Sequence, residues 1–211
     1  MLKLYGYFRS SAAYRVRIVL NLKGLAYEQS PVHLRRGEQF KPAYRALNPL
    51  ARVPTLIDGE RVFTQSIAIA EYVDERWPEP PLLPGDDAGR ARALALIVAC
   101  DIHPIQNLNV LAYLETAHGF DEPAKTRWAQ HWIADGFGAI ETMLARDPAT
   151  GTYCDGERPT VADAFLIPHV ANARRFALDL APYPTIVRID AACRALAPFA
   201  AAAPERQPDA A

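Results

Sequence analysis

The chain has 211 residues and half of them are hydrophobic, enough to bury a substantial core in one large domain or two small ones. Its 23 basic and 24 acidic residues leave a formal net charge of -1, so no overall field draws in a nucleic acid or an anionic membrane, and partners of both kinds are disfavoured. The three cysteines, Cys100, Cys154 and Cys193, are odd in number and widely spaced; they fit neither a disulfide framework nor a zinc site, and they point to a reducing cytoplasm.

The opening MLKLYGYFRS has no basic segment followed by a long apolar run, so no signal peptide is expected there, and no stretch approaches the ~18 uninterrupted apolar residues that a bilayer span needs. Short β-type runs then alternate with helical patterns. A strand over 3–7, a helix over 11–23 closed by Gly24 and a strand over 27–33 make a βαβ unit. A short helix is expected over 40–47, strands over 55–57 and 61–64 about an Asp58-Gly59 turn, and a helix capped by Ser66 that reaches 76. Trp77-Pro78-Glu79-Pro80-Pro81 ends that helix, because proline lacks a backbone donor and biases its predecessor away from helix; the segment reads as a linker.

Beyond the linker no strand is expected. Residues 88–118 read as one long helix kinked at Pro104, and Pro123 suits the first turn of the next, in which Trp128, Trp132, Ile140 and Leu144 recur at helical spacing as a core stripe. Thr160-Val161-Ala162-Asp163 has the form of a capping box with a structural role, opening a helix that ends near Arg174-Arg175. Pro182 and Pro184 precede a last helix over 185–196, and the alanine-rich tail after it is expected to fray.

Several residue groups could carry chemistry. Ser10 and Ser11 stand where a strand ends and a helix begins, so their hydroxyls and the first free amides of the helix form a donor cluster in a positive local potential that would stabilise a thiolate. A plain helix cap is the alternative reading. Gln65-Ser66 opens another helix and is a ready carboxylate site, or again an ordinary cap. Asp101-Ile102-His103 invites a metal reading, which fails for want of a third ligand, since His33, His118, His131 and His169 are scattered. Arg9 and the pair Arg174-Arg175 could solvate helix ends or grip carboxylates with two parallel hydrogen bonds.

The segment Tyr7-Phe8-Arg9-Ser10-Ser11-Ala12-Ala13-Tyr14-Arg15-Val16-Arg17 resembles the signature of the zeta-class glutathione transferases. Further matches are Asn48-Pro49, Val53-Pro54-Thr55-Leu56, Gln65-Ser66, Gln106-Asn107-Leu108, Thr160 to Asp163 and Asp179-Leu180-Ala181-Pro182-Tyr183-Pro184, so the resemblance runs over nearly the whole chain. It implies an α/β plus all-α architecture: a thioredoxin-like βαβαββα domain over 1–80 that binds glutathione, then an all-helical domain over 86–211 for substrate binding and dimerisation.

It also implies the chemistry. Glutathione is the cofactor, and its thiolate adds to the cis double bond of a small keto dicarboxylate, which rotates and is released as trans. Ser10 is the residue facing the sulfur, with Ser11 and Arg9 beside it. Val53, before a cis Pro54, offers its backbone to the cysteinyl part; Gln65 and Ser66 hold the γ-glutamyl carboxylate; Gln39 reaches the glycyl end. Asp101, His103 and Asn107 lie at the interface of a homodimer and complete the neighbouring subunit's site, while Arg9 and Arg175 bind the carboxylates of the substrate.

Leu108-Asn109 lack the arginines associated with maleylpyruvate as substrate, although Asp101-Ile102-His103-Pro104 resembles that branch, and the balance favours maleylacetoacetate. Ala12 departs from the family's cysteine, which argues against reductive dehalogenation. A general transferase for haloacids, or a non-catalytic module of the same fold for interaction or ligand carriage, are the competing expectations.

Overall fold

The computed structural model describes residues 1–210, and the chain divides into two compact units: Met1–Leu83 together with the segment from Arg194 onward, and Pro84–Cys193. The first contains β1 (Leu2–Gly6), α1 (Ser11–Leu22), β2 (Tyr27–Pro31), α2 (Pro42–Leu47), β3 (Thr55–Asp58), β4 (Arg61–Thr64) and α3 (Ser66–Arg76), with 3-10 turns at Leu34–Arg36 and Glu38–Phe40. This is the expected βαβαββα order. The sheet runs β2-β1-β3-β4, with β2 parallel to β1 and the β3–β4 hairpin antiparallel. Asp58 pairs with Arg61, so Gly59, at φ 60°, opens a two-residue loop of the kind that needs a left-handed residue.

Helix α1 is buried on every side from Ala12 to Leu20, and its two buried arginines are kept by hydrogen bonds to acceptors. The proline-rich linker is tied back to this unit. Lys23 Nζ lies 2.6 Å from Asp74 Oδ1, and the amides of Leu82 and Leu83 donate to the same carboxylate, which carries the first unit to Leu83 instead of 80. The alanine-rich tail corrects a second expectation, because it does not fray. It forms α9 (Ala197–Ala202), buries Phe199 and Ala202 completely and packs on α1, so it belongs to the first unit although it is last in sequence. Small alanines let the two helices approach closely, and composition alone could not reveal the surface they cover.

The second unit is helical among its described residues: α4 (Asp87–Ala99), α5 (Leu108–His118), α6 (Glu122–Arg146), α7 (Val161–Arg175) and α8 (Pro184–Arg194). Pro104 interrupts the stretch from 88 to 118 and does not merely kink it. Asp101 and Ile105 take i−3 bonds, residues His103–Gln106 form a 3-10 turn, and extended Asn107 restarts the chain as the N-cap of α5. That break leaves two helices of 13 and 11 residues, each short of the ~20 needed to cross a bilayer, in a stretch otherwise long and apolar enough to be considered.

On α6 the buried stripe is Lys125, Ala129, Ile133, Phe137, Ile140 and Leu144; Ile140 and Leu144 lie on it as expected, whereas Trp128 and Trp132 flank it half-buried, with Trp128 Nε1 donating to Ile105 O at 2.9 Å. Gly136 faces Ile102, whose side chain a Cβ there would overlap.

Candidate functional site

Register gathers the first unit's candidate residues. Gly6 pairs with Pro31, Tyr5 with Thr55, and Thr55 with Thr64. The segments 7–10, 32–41, 52–54 and 65–66 therefore all leave the sheet at the same end. Arg9, Ser10, Gln39, Val53, Pro54, Gln65 and Ser66, scattered over 58 positions by number, belong to these four segments or follow directly from them.

Ser10 is the N-cap of α1. Its amide donates to Tyr7 O at 2.9 Å, and its Oγ accepts the Ala13 amide at 3.2 Å. The cap reading of Ser10 is thus realised, and it leaves the hydroxyl's own proton available to a ligand. Ser11 begins the helix, and no helix carbonyl can reach the Ser11 and Ala12 amides. Arg9 is exposed, with its guanidinium 5.0 Å from the Phe8 ring centroid.

The Val53–Pro54 peptide is cis, and the Val53 main chain takes no hydrogen-bond partner among the described residues. Two residues with no role assigned from sequence, Tyr44 and Asn48, hold that loop. Tyr44 Oη donates to Arg52 O at 2.6 Å and lies 3.0 Å from Thr55 Oγ1, while Asn48 Nδ2 donates to the same pair at 2.8 and 3.2 Å. Burial raises the Tyr44 phenol above its ordinary value, so it remains a donor. The Asn48-Pro49 motif was the one available signal for this brace.

Gln65, not Ser66, is the N-cap of α3, and it makes no side-chain cap bond. Its φ of 69° and ψ of 120° lie where a residue with a Cβ is strained by about 1–3 kcal/mol, a cost that accumulates at functional sites. The buried Ser66 hydroxyl accepts from Arg15 Nη1 at 3.4 Å, so a cation stands behind a helix start whose first amides have no side-chain cap. Gln39 Oε1 is a buried acceptor with no donor among the described residues, in a loop braced by Glu38, whose carboxylate accepts the His33 amide at 2.7 Å and is thereby held below its ordinary value.

In the second unit, Asp101 and His103 do meet, with Nδ1 2.9 Å from Oδ1, and Asn107 follows as the cap of α5 without a side-chain cap bond. Among the described residues no three His, Cys, Asp or Glu side chains converge as a metal site. The paired arginines separate by role. Arg174 is bound to the buried Asp190 carboxylate at 2.6 Å, whereas Arg175 donates through Nε to Asn172 Oδ1 at 3.0 Å and lies 4.3 Å from the Phe176 ring centroid. Asn172 in turn donates to the buried Gln106 Oε1 at 2.9 Å, a relay invisible to spacing. Burial pushes the Cys154 and Cys193 thiols up, so both stay protonated and neither serves as a nucleophile.

A thioredoxin-like sheet domain joined to a helical domain, with the starts of α1 and α3 gathered at one sheet end, defines a class that family models recognise: residues 1–75 match the glutathione S-transferase N-terminal domain and 122–204 the glutathione S-transferase C-terminal domain. The chain belongs to the glutathione S-transferase family, and within it to the zeta class. It is 51% identical to a maleylpyruvate isomerase of Ralstonia sp, over 100% of both chains, and 51% identical to a probable maleylacetoacetate isomerase of Vibrio cholerae, over 98% of this chain and 97% of the relative. Among solved structures, a maleyl pyruvate isomerase of the zeta class in its holo form superposes with a TM-score of 0.96 at 51% identity, covering 99% and 100% of the two chains. A maleylacetoacetate isomerase of Methylobacterium extorquens, solved with malonate and GSH, does so at 0.95 and 40% identity, covering 99% of each.

Proposed function

We propose that this chain is a glutathione-dependent cis–trans isomerase of maleylacetoacetate, working as a homodimer in the cytoplasm. The observation that carries the reading is the convergence at one sheet end of a serine-bearing helix start, an unpartnered main chain before a cis proline and an uncapped helix start, in a chain half identical to such isomerases throughout. These residues fit glutathione. Val53 main chain suits its cysteinyl peptide, the α3 amides with Gln65 and Ser66 suit its γ-glutamyl carboxylate, and the donorless Gln39 Oε1 suits an N–H near its glycyl end. Asp101, His103 and Asn107 complete the neighbouring subunit's site.

Glutathione, when bound, supplies the thiol nucleophile whose addition and departure free the double bond to rotate. Ser10 gives its hydroxyl proton toward the sulfur, and the Ser11 and Ala12 amides add positive potential that favours the ionised thiol. Arg9 and Arg175 each bind a carboxylate, and donors that hold growing negative charge on the substrate's carbonyl oxygen lower the barrier because they hold it more tightly than the ground state. With Ala12 in place of cysteine, the first unit supplies no thiol of its own, consistent with isomerisation and against reductive dehalogenation.

Maleylpyruvate is the second reading, favoured by equal identity to an isomerase of that name. Glutathione-dependent turnover of the two diacids side by side decides: a kcat/KM higher for maleylpyruvate would replace the first reading. Ser10→Ala is expected to cost roughly tenfold to a hundredfold in kcat through loss of a hydrogen bond to a charged group, and about 1 kcal/mol of stability through loss of the cap. Wild-type turnover with unchanged thiol ionisation would remove Ser10 from the chemistry.

A further inference from the structure

The loop that carries Arg9 and Ser10 is gripped from the far end of the sequence. Phe8, the residue before Arg9, has both main-chain groups engaged: its N–H donates to Asp209 Oδ2 at 2.9 Å, and its C=O accepts from Arg17 Nη2 at 3.2 Å. The same Arg17 donates through Nε to Ala202 O at 2.9 Å, and Asn21 Nδ2 donates to Pro198 O at 2.9 Å, so α1 holds the tail at two points. Gln207, itself buried, donates to Ala201 O and Ala203 O at 2.9 and 2.8 Å, and the Ala210 amide closes a turn on Gln207 O at 3.0 Å. Asp209 therefore sits in a fixed turn and is aimed at one amide. Burial lowers Arg17 to about 10, which leaves it a cation at neutral pH, and the Asp209 carboxylate favours that cation.

We infer that Asp209 is a positioning residue for the catalytic loop: by holding the Phe8 amide, it sets the approach of Ser10 to the thiol and the seat of Arg9 on the Phe8 ring. The inference rests on the reading that Ser10 serves the thiol. Its physical basis is that the four-residue loop has few bonds of its own. Beyond the Tyr7–Ser10 turn and the Ser10 cap, the tail and Arg17 supply the rest. A carboxylate accepting from an amide is a strong form of such a bond, and a displacement of under an ångström at a reacting group is enough to slow a reaction.

The test uses the full chain with Asp209→Ala, Asp209→Asn, Ser10→Ala and the double Ser10→Ala/Asp209→Ala variant. In the ligand-free protein, Phe8 amide exchange followed by NMR should quicken about tenfold or more in Asp209→Ala and stay near wild type in Asp209→Asn, whose amide oxygen still accepts. With glutathione and diacid, Asp209→Ala should lower kcat about three- to tenfold at nearly unchanged KM for glutathione, and should raise the pKa of the bound thiol read by thiolate absorbance. Asp209→Asn should restore most of both.

The double variant should show no further rise in the thiol pKa beyond Ser10→Ala alone, because Asp209 reaches the thiol through Ser10. Unchanged Phe8 exchange in Asp209→Ala would overturn the grip. A lowered melting temperature with wild-type kcat and thiol pKa would make Asp209 a structural anchor and overturn the positioning role. Normal turnover in Ser10→Ala would mean that the functional reading itself had failed at Ser10, an outcome separable from the exchange result and one that withdraws the catalytic half of the inference.

Discussion

In the first unit most of the groups proposed to meet a ligand belong to the main chain, namely amides at two helix starts and the Val53 peptide, with the side chains of Arg9, Ser10 and Gln39 beside them. In the second they belong to side chains, namely the Asp101–His103 pair, Asn107, and Arg175 held by Asn172. A main-chain site depends on backbone conformation and tolerates many side chains. A side-chain site depends on residue identity and on the neighbours that aim it.

The comparison is broken most severely where the second unit's frame fails. Asp163 is wholly buried and accepts from the Cys154 and Thr160 amides and the Thr160 hydroxyl; burial raises its carboxyl while these bonds oppose the shift. Asp163→Ala should cost about 3 kcal/mol or more in urea denaturation, since it orphans buried amides. A loss under about 1 kcal/mol would show that the capping box is not what frames α7.

Next in size are the arginines. Arg9→Met and Arg175→Met should each remove a charge-assisted carboxylate pair of about 1.5–3 kcal/mol, a loss on the order of tenfold to over a hundredfold in kcat/KM for the diacid, with little change for a neutral chlorinated aromatic. Arg174→Met should instead lower stability, because the buried Asp190 loses its cation, while diacid selectivity holds. Equal losses for both substrates in the Arg9 and Arg175 variants would make those residues structural and remove the diacid assignment.

Gln65→Gly sharpens the main-chain half. Relief of the positive φ should stabilise the fold by about 1 kcal/mol, while the KM for glutathione rises as the helix start loosens. A destabilised variant would show that the conformation is unstrained. The smallest effect concerns Glu38. Its carboxyl is held low by the His33 amide, so its stabilisation is present above the ordinary value of 4.5 and is lost as pH falls through the lowered value. Glu38→Gln should flatten the acid dependence of glutathione affinity, a slight effect since the group is solvent-screened. An unaltered pH profile would detach this brace from the site.

Much of this was legible without coordinates. The β1–α1–β2 unit, the hairpin and the linker follow from period, turn residues and proline chemistry; both ends of β4 and the C-terminal end of α3 match the expected ones, while the cap of α3 moves from Ser66 to Gln65. The site's serines and arginines came from a motif. Less legible were groups whose role depends on distant partners: Tyr44 and Asn48 bracing the Val53–Pro54 loop, Asn172 aiming Arg175, and the break at Pro104, which required knowing whether the flanks could stay in helical register.

By itself the sequence determined which segments of residues 1–80 are strands and helices, because backbone donors, side-chain branching and apolar period act locally. It also determined that the first unit lacks a thiol and that the chain carries almost no net charge. Only the tertiary structure decided that four loops share one end of the sheet, that Ser10 caps α1 while keeping its proton, that Gln65 is strained, and that the alanine-rich tail returns to hold Phe8. Each of those depends on strand register or on packing between residues as far apart as 201 positions, and long-range pairing of that kind is set by which buried surfaces fit together and leaves no mark in local composition.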